Sequence, residues 1–202
     1  MRLTRNMIYK FGAIADIGAQ NASDYLSIMT KKKVKVNIPW VSSYPYEKIS
    51  NTIGKPNELI TAIFMHLDGD LHGVILMLFP EKNAIEMSDL LQRKTGSQKL
   101  DELGKSALME AGGNILANAY LNAFAEKLNV KIQDSIPHIA TDMLAALLDG
   151  ILGTFGAKSE EALIFKNNFN VASKKVRGYS LILFDPDSFN ILLEKLRKCK
   201  IK

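Results

Sequence analysis

Two segments of this chain carry one spaced pattern twice, and that repetition limits the folds open to it. Ser106, Glu110, Asn114 and Pro137 form the second copy. Tyr9, Ala13, Asp16 and Pro39 stand at nearly matching positions about 98 residues earlier. A further pair repeats at an offset of 105: Gly73 to Phe79 followed by Pro80, and Gly178 to Phe184 followed by Asp185-Pro186. The second copy therefore carries about seven extra residues, most simply around Gly150 to Glu160 and Lys166 to Arg177. A unit used twice points to internal pseudo-symmetry.

The hydrophobic periodicities give the unit its elements. A helix is expected from about Met7 to Met29, then a strand, Val34 to Ile38, ended by Pro39. Tyr44 to Pro56 reads as irregular or a short helix. Leu59 to Leu67 and Gly73 to Phe79 read as a hairpin, with Asp68-Gly69-Asp70 as turn chemistry. Asn83 to Arg93 closes the first half as a helix.

The same order returns. Leu100 to Leu128 reads as a long helix and Val130 to Ile136 as a strand ended by Pro137. Thr141 to Phe155 reads as an amphipathic helix with Leu144, Leu147, Leu148, Ile151, Leu152 and Phe155 on one stripe. Strands at about Glu161 to Val171 and Lys174 to Phe184 and a helix at Ser188 to Lys198 complete it.

The expected fold is α/β (α+β). A pseudo-two-fold duplicated unit builds one continuous, mostly antiparallel sheet, with two long helices on one side. Residues 1–202 then make a single domain from two repeats, about 7–94 and 104–198, with the boundary near Thr95-Gly96-Ser97.

Composition narrows the function classes. One cysteine, Cys199, cannot form an internal disulfide, which fits a reducing compartment. Three scattered histidines, His66, His72 and His138, give no zinc pattern. Arg2, Arg5, Lys10 and Asp16 interrupt any secretion-signal core. The apolar run Ile139 to Phe155 contains Asp142 and Asp149 and is too short to span a bilayer. A cytoplasmic protein without membrane insertion is expected. The net charge of +5 comes largely from Lys31-Lys32-Lys33 and the tail Lys195 to Lys202. Those runs have no aromatic interleaving, so a solvated surface is expected rather than nucleic-acid binding. Trp40 beside Pro39 reads as a packing anchor. A polar hairpin tip, rather than a metal site, is expected where His66 and His72 flank Asp68-Gly69-Asp70. No Gly-rich phosphate loop, Ser/His/Asp set or Cys/His set is present.

The candidate chemistry lies on the helix that begins near Ser106. Glu110 and Asn114 are four apart, about 40° from each other around a regular helix. Asn118 continues the stripe. Gly112-Gly113 costs that helix about 1 kcal/mol per glycine relative to alanine, so something must require it.

These segments resemble the CheC family of bacterial and archaeal chemotaxis phosphatases, related to CheX and the flagellar switch protein FliY. Ile17-Gly-Ala-Gln-Asn-Ala22 with Leu26-Ser27 and Lys33 to Pro39 resembles the family's first repeat. Ser106 to Glu110, Asn114-Ile-Leu, Ala119-Tyr-Leu-Asn-Ala and Ser135-Ile-Pro137 with Ala140-Thr-Asp-Met resembles its second. The family signature is Asp or Ser, three residues, Glu, two residues, Asn, twenty-two residues, Pro.

The resemblance implies dephosphorylation of phospho-CheY or a related response-regulator receiver. Asn114 would orient the attacking water and Glu110 would contact a receiver lysine. Ser106 and Asn118 become candidate partner contacts. The deamidase CheD is a further partner the resemblance implies. No cofactor or metal is expected on this chain, and Mg²⁺ would belong to the receiver. The implied alternative is a non-catalytic regulator or scaffold that binds CheD or a receiver.

The chain departs from the signature twice. Three residues, not two, separate Glu110 from Asn114, and a π-bulge could absorb the extra one. In the first copy Ala13 replaces the Glu and Asp16 replaces the Asn. An Asp there offers no amide N–H and repels a phosphoryl group, so that site is read as inactive.

Overall fold

In the computed structural model, residues 3–45, 48–155, 161–171 and 174–200 are described. The chain runs α1 (Arg5–Thr30), β1 (Val34–Pro45), α2 (Ile49–Ile53), β2 (Leu59–Gly69), β3 (Gly73–Pro80) and α3 (Glu81–Gln92). Then follow α4 (Glu102–Leu108), a π-helix (Met109–Ala117), α5 (Asn118–Leu128), β4 (Ile132–Asp134) and β5 (His138–Met143). The last elements are α6 (Leu144–Phe155), β6 (Glu161–Val171), β7 (Lys174–Phe184) and α7 (Pro186–Lys198). Side-chain oxygens start several helices. Thr4 accepts from the Met7 N–H, Asp101 from Gly104 and Asp185 from Ser188.

All seven strands form one antiparallel sheet in the order β1-β6-β7-β3-β2-β4, with β5 also on β2. Exchanging β1 for β4 and β5, β2 for β6, and β3 for β7 reverses this order without changing it. The axis passes between β3 and β7. There Leu76 pairs with Leu181, 105 positions on. Gly73 pairs with Phe184, and a Cβ on Gly73 would overlap the Leu183 carbonyl. A Cβ on Gly178 would lie 2.9 Å from the ring of Phe79. Each of the two strands thus sets a glycine against the other's end.

The outer strands match as well. Val34 and Ile132 open β1 and β4, and Trp40 and His138 open the segments after the two prolines, each pair 98 positions apart. This corrects two expectations. Pro39 does not end its strand, because β1 continues to Pro45 past a register shift between Asn37 and Trp40. A bulge leaves residues unpaired, so a proline there loses no ladder hydrogen bond. Likewise Pro137 lies between two short strands that both pair with β2. The expected helix from Thr141 instead begins at Leu144, because His138–Met143 pairs with β2 as β5.

The sheet is covered on both faces. On one face α1 and the continuous helix from Glu102 to Leu128, with α3 and α7, bury Phe11, Ile14, Leu26, Tyr120 and Phe124 against Ile63, Met77 and Phe165. Phe11 stacks on Phe124 at 4.3 Å and on Phe165 at 5.1 Å, tying both long helices to β6. Among the described residues the other face is covered in part, by α2 and α6, whose Ile49, Leu144, Leu147 and Leu148 meet Leu76, Ile164 and Leu181. The side chains of Ile151, Leu152 and Phe155 on the expected stripe of α6 lie outside the described residues. β3 is buried from Gly73 to Phe79, as a central strand between two layers must be.

Replacing Gly73 with alanine should destabilise the protein by about 1–3 kcal/mol, since the obstacle is paired backbone rather than a movable side chain. Urea unfolding followed by circular dichroism measures this, and wild-type stability for Gly73→Ala would contradict the close β3–β7 joint.

Candidate functional site

The site is built from the unusual middle of the second long helix. From Met109 to Ala117 the helix is π, nine residues long, and it joins α4 to α5 without a break. An i→i+5 segment accommodates an additional residue within one turn. Its position matches that of the extra residue between Glu110 and Asn114. The two glycines lie on the inward side of that segment. A Cβ on Gly112 would come within 2.6 Å of Ile63 Cδ1, and one on Gly113 within 2.7 Å of Pro137 Cβ. The widened helix therefore presses on β2 and on the β4–β5 junction: at Gly113 the rigid Pro137 ring leaves no room for a methyl, and at Gly112 the movable end of Ile63 would have to shift. This close approach is the requirement that the sequence left unexplained.

On the outward side Glu110 and Asn114 are exposed. The Asn114 amide donates to Glu110 Oε2 at 2.7 Å. Asn118 Nδ2 donates to the Asn114 backbone carbonyl at 3.1 Å. Glu110, Asn114 and Asn118 thus form one connected polar stripe. Ser106 is exposed one turn earlier and has no hydrogen bond to them.

Beside the stripe runs a groove of about 750 Å³ between α1 and the π-helix–α5 segment. Asn114, Ile115 and Asn118 form one wall, and Asp24, Tyr25 and Ile28 form the other. Tyr25 and Ile28 are 63% and 75% exposed, and Ile136 next to Pro137 is 76% exposed. Exposed large apolar groups beside a polar stripe are the composition of a protein-docking surface.

The first copy is different. Ala13 is half-buried and Asp16 exposed on a regular α-helix. Partial burial pushes the Asp16 carboxyl above the usual carboxylate range. Below this helix Tyr120 is fully buried and donates to Asn167 Oδ1 at 2.7 Å. Asn167 Nδ2 donates to Ser180 Oγ at 2.5 Å. Burial, with the Asp16 charge adding to it, holds the Tyr120 phenol well above its ordinary range, so it stays protonated. Sequence reasoning missed this buried chain, because Tyr120, Asn167 and Ser180 lie on three separate elements.

Among the described residues no group of three or more His, Cys, Asp or Glu is arranged to hold a metal ion. The hairpin tip is satisfied internally: Asp68 meets His72 Nδ1 at 2.9 Å, and Asp70 accepts from the Lys131 N–H. No described helix is long and apolar enough to cross a membrane.

Comparison with known proteins places these features in context. No family model matches the chain. The CheY-P phosphatase CheC of Bacillus subtilis (strain 168) is 24% identical over 192 residues, spanning 91% of this chain and 90% of that protein. FliY of Thermotoga maritima shares the fold at TM-score 0.80 and 17% identity, over 99% of this chain and 100% of that one. The chain is CheC/CheX/FliY-like. FliM from the FliM–SpeE complex of H. pylori has the fold at TM-score 0.70 and 16% identity, covering 98% of both chains. The CheX–CheY–BeF3–Mg complex of Borrelia burgdorferi matches at TM-score 0.50 and 15% identity, over 82% of this chain and 95% of that one.

Two outcomes follow from the packing. Gly113→Ala should lower stability by about 1–3 kcal/mol despite alanine's better helix propensity, because Pro137 blocks the new methyl. Chemical denaturation measures it, and a stabilised variant would mean the π-helix relaxes freely. Asp16→Asn should raise the melting temperature at neutral pH. The Asp16 pKa is raised, so its neutral form is the one the fold favours. That contribution is present below the unfolded carboxyl value and is lost as pH rises through the folded one. Melting curves of both proteins should therefore converge in acid and separate at neutral pH. Curves separated equally at all pH values would refute the assignment.

Proposed function

We propose that the chain docks on the phosphorylated receiver domain of a CheY-like response regulator and speeds hydrolysis of its aspartyl phosphate. One observation carries this reading. The π-helix takes up the inserted residue and leaves Glu110 and Asn114 exposed on one stripe, 2.7 Å apart. A relative named as a CheY-P phosphatase and a fold neighbour solved with CheY support the choice of partner.

The chemistry asks little of the protein beyond position. Water attacks phosphorus opposite the aspartyl oxygen. The bond from that oxygen to phosphorus breaks, a carboxylate leaves, and the water's proton departs with inorganic phosphate. Asn114 cannot take up a proton, so it acts by orienting the water. With its Nδ2 held by Glu110, the amide Oδ1 is free to accept from the water and aim its lone pair. Glu110 also offers a carboxylate for a receiver cation. Mg²⁺ is expected on the receiver, where it would neutralise charge on the transferring group. The groove beside Tyr25 and Ile28 would receive an apolar receiver surface.

The matched offsets at Leu76/Leu181 and at the two prolines support a chain built from two repeats that share one sheet. Only the second repeat presents an amide at the working position. A purely binding role, toward a receiver or CheD, is the other reading. It is favoured by one fact: the fold is also that of FliM in a complex with SpeE.

The test is phosphate release from phosphorylated cognate receivers. Asn114→Ala should slow it about a hundredfold in kcat with little change in stability, as removal of one positioning group from a transition state does. Glu110→Ala should chiefly raise KM, with a smaller fall in kcat because Asn114 loses its anchor. Asp16→Ala should leave turnover unchanged. Equal turnover by wild type and Asn114→Ala would reject the catalytic role. Receiver binding without acceleration by the wild type would establish the binding role instead.

A further inference from the structure

The face of the sheet opposite the long helices carries a second concave surface that the proposed phosphatase chemistry does not use. It is a pocket of about 740 Å³ at the end of the sheet that α6 leaves uncovered, where β1, β6 and β7 lie side by side with α2 at the rim. This size suits a small organic ligand. Its walls are set by strand register. Trp40 pairs with Lys166, and Lys166 with Tyr179, so one row across three strands reads aromatic, cation, aromatic. In the next row Asn168 pairs with Arg177, and Lys175 lies two residues before Arg177 on β7. Tyr44 adds a third ring, 5.8 Å from Trp40 between centroids.

Two features mark this as a built site rather than a solvated face. The first is charge. Lys166, Lys175 and Arg177 line it together with no carboxylate among the described lining residues, and none of the three makes an ion pair among the described residues. Like charges so placed repel each other unless an anion joins them. The second is Asn168. It is only 5% exposed, it lines the pocket, and its Oδ1 makes no hydrogen bond. Its neighbour Asn167, facing the other side of the sheet, bonds to both Tyr120 and Ser180. A buried carbonyl oxygen without a donor is costly, so an N–H in the pocket toward which the amide can turn would relieve it.

We propose that this pocket binds a nucleotide. Its phosphate would lie against Lys175, Arg177 and Lys166, its planar base would stack on the Trp40 and Tyr44 rings, and an amino group on the base would donate to Asn168 Oδ1 once that amide turns toward the pocket. A simple anion satisfies the cations but neither the rings nor the amide. A neutral aromatic satisfies the rings but leaves three cations unpaired. A nucleotide supplies all three chemistries at once. The site lies across the sheet from Glu110 and Asn114, so it stands or falls independently of the phosphatase reading.

Trp40 is the sole tryptophan of the chain, so its fluorescence reports on this pocket alone. The experiment titrates the full-length protein with AMP, GMP and ATP, with pyrophosphate, and with adenosine, and confirms each by calorimetry. At least one nucleotide should change Trp40 emission saturably below millimolar concentration, and should bind at least tenfold more tightly than pyrophosphate or adenosine. Arg177→Gln and Lys175→Gln replace exposed side chains and should leave the fold intact. Each should weaken nucleotide binding about tenfold, the loss expected for one charge-assisted hydrogen bond. Asn168→Leu, whose folding is checked by circular dichroism, should weaken a nucleotide more than pyrophosphate. Pyrophosphate binding as tightly as every nucleotide would overturn the proposal by removing the base from it. No saturable response to any nucleotide at millimolar concentration would overturn it outright, as would nucleotide binding unchanged in both cation variants.

Discussion

Everything in this molecule hangs on the pairing of β3 with β7. Without it the chain is two half-sheets, each ending in a strand whose backbone groups lack partners. Such an edge, apolar from Val74 to Phe79, would pair with any strand it met. The joint closes it by laying Leu76 against Leu181 and by letting the backbone at Gly73 and Gly178 approach the opposite strand end. The consequences reach both faces. One core spans the joint below the long helices through Met77, Phe79, Phe165 and Ile182, and a second spans it above through Leu76, Leu78, Leu181 and Leu183. Neither half owns a closed core, so the two long helices are positioned by a sheet that only the whole chain can make.

Much of this was legible in the sequence because its signals are local. Strand alternation, the Asp68-Gly69-Asp70 turn and the returning Gly-to-Phe run give β2, β3, β6 and β7 close to their observed limits. The prolines misled. Read locally, Pro39 and Pro137 stop strands, because proline removes a ladder hydrogen bond. In the sheet both fall where the pairing skips, and the strand resumes beyond. The misplaced start of α6 has the same origin. The six residues of β5 are a short polar alternation ahead of a leucine-rich helical run, and the stronger period extends backward over the weaker one.

The candidate surfaces divide along the same line. That Glu110, Asn114 and Asn118 share one side of a helix could be read from spacing, although the π-helix rather than the regular step of about 40° sets their relation. The reason for Gly112-Gly113 was not, since Ile63 and Pro137 touch that helix from elsewhere in the chain. The Trp40 pocket was hidden more deeply. Trp40 is separated from Lys166 by most of the sequence, and along each strand its members alternate with residues of the opposite face. No linear basic run interleaved with aromatics exists. The interleaving appears only across strands, which is why a reading of Trp40 as a packing anchor captured half of its environment.

The two long helices differ at their matching positions. In α1 the three-residue step from Ala13 to Asp16 fits a regular helix, and an acid stands where the second copy has an amide. In the second copy the step is four, the helix widens to a π-helix, and two glycines let it settle on the sheet while Asn114 stays at the surface. The first surface is not idle in the energetics. Its Asp16 charge is felt by Tyr120, a residue of the other copy, whose phenol anchors Asn167 and through it Ser180. A carboxylate at that place repels both a phosphoryl group and an ionised phenol, whereas an amide repels neither. On the proposed reading, the acid bars the first face from aspartyl-phosphate chemistry, while burial, with the Asp16 charge adding to it, holds Tyr120 as a hydrogen-bond donor in its buried network.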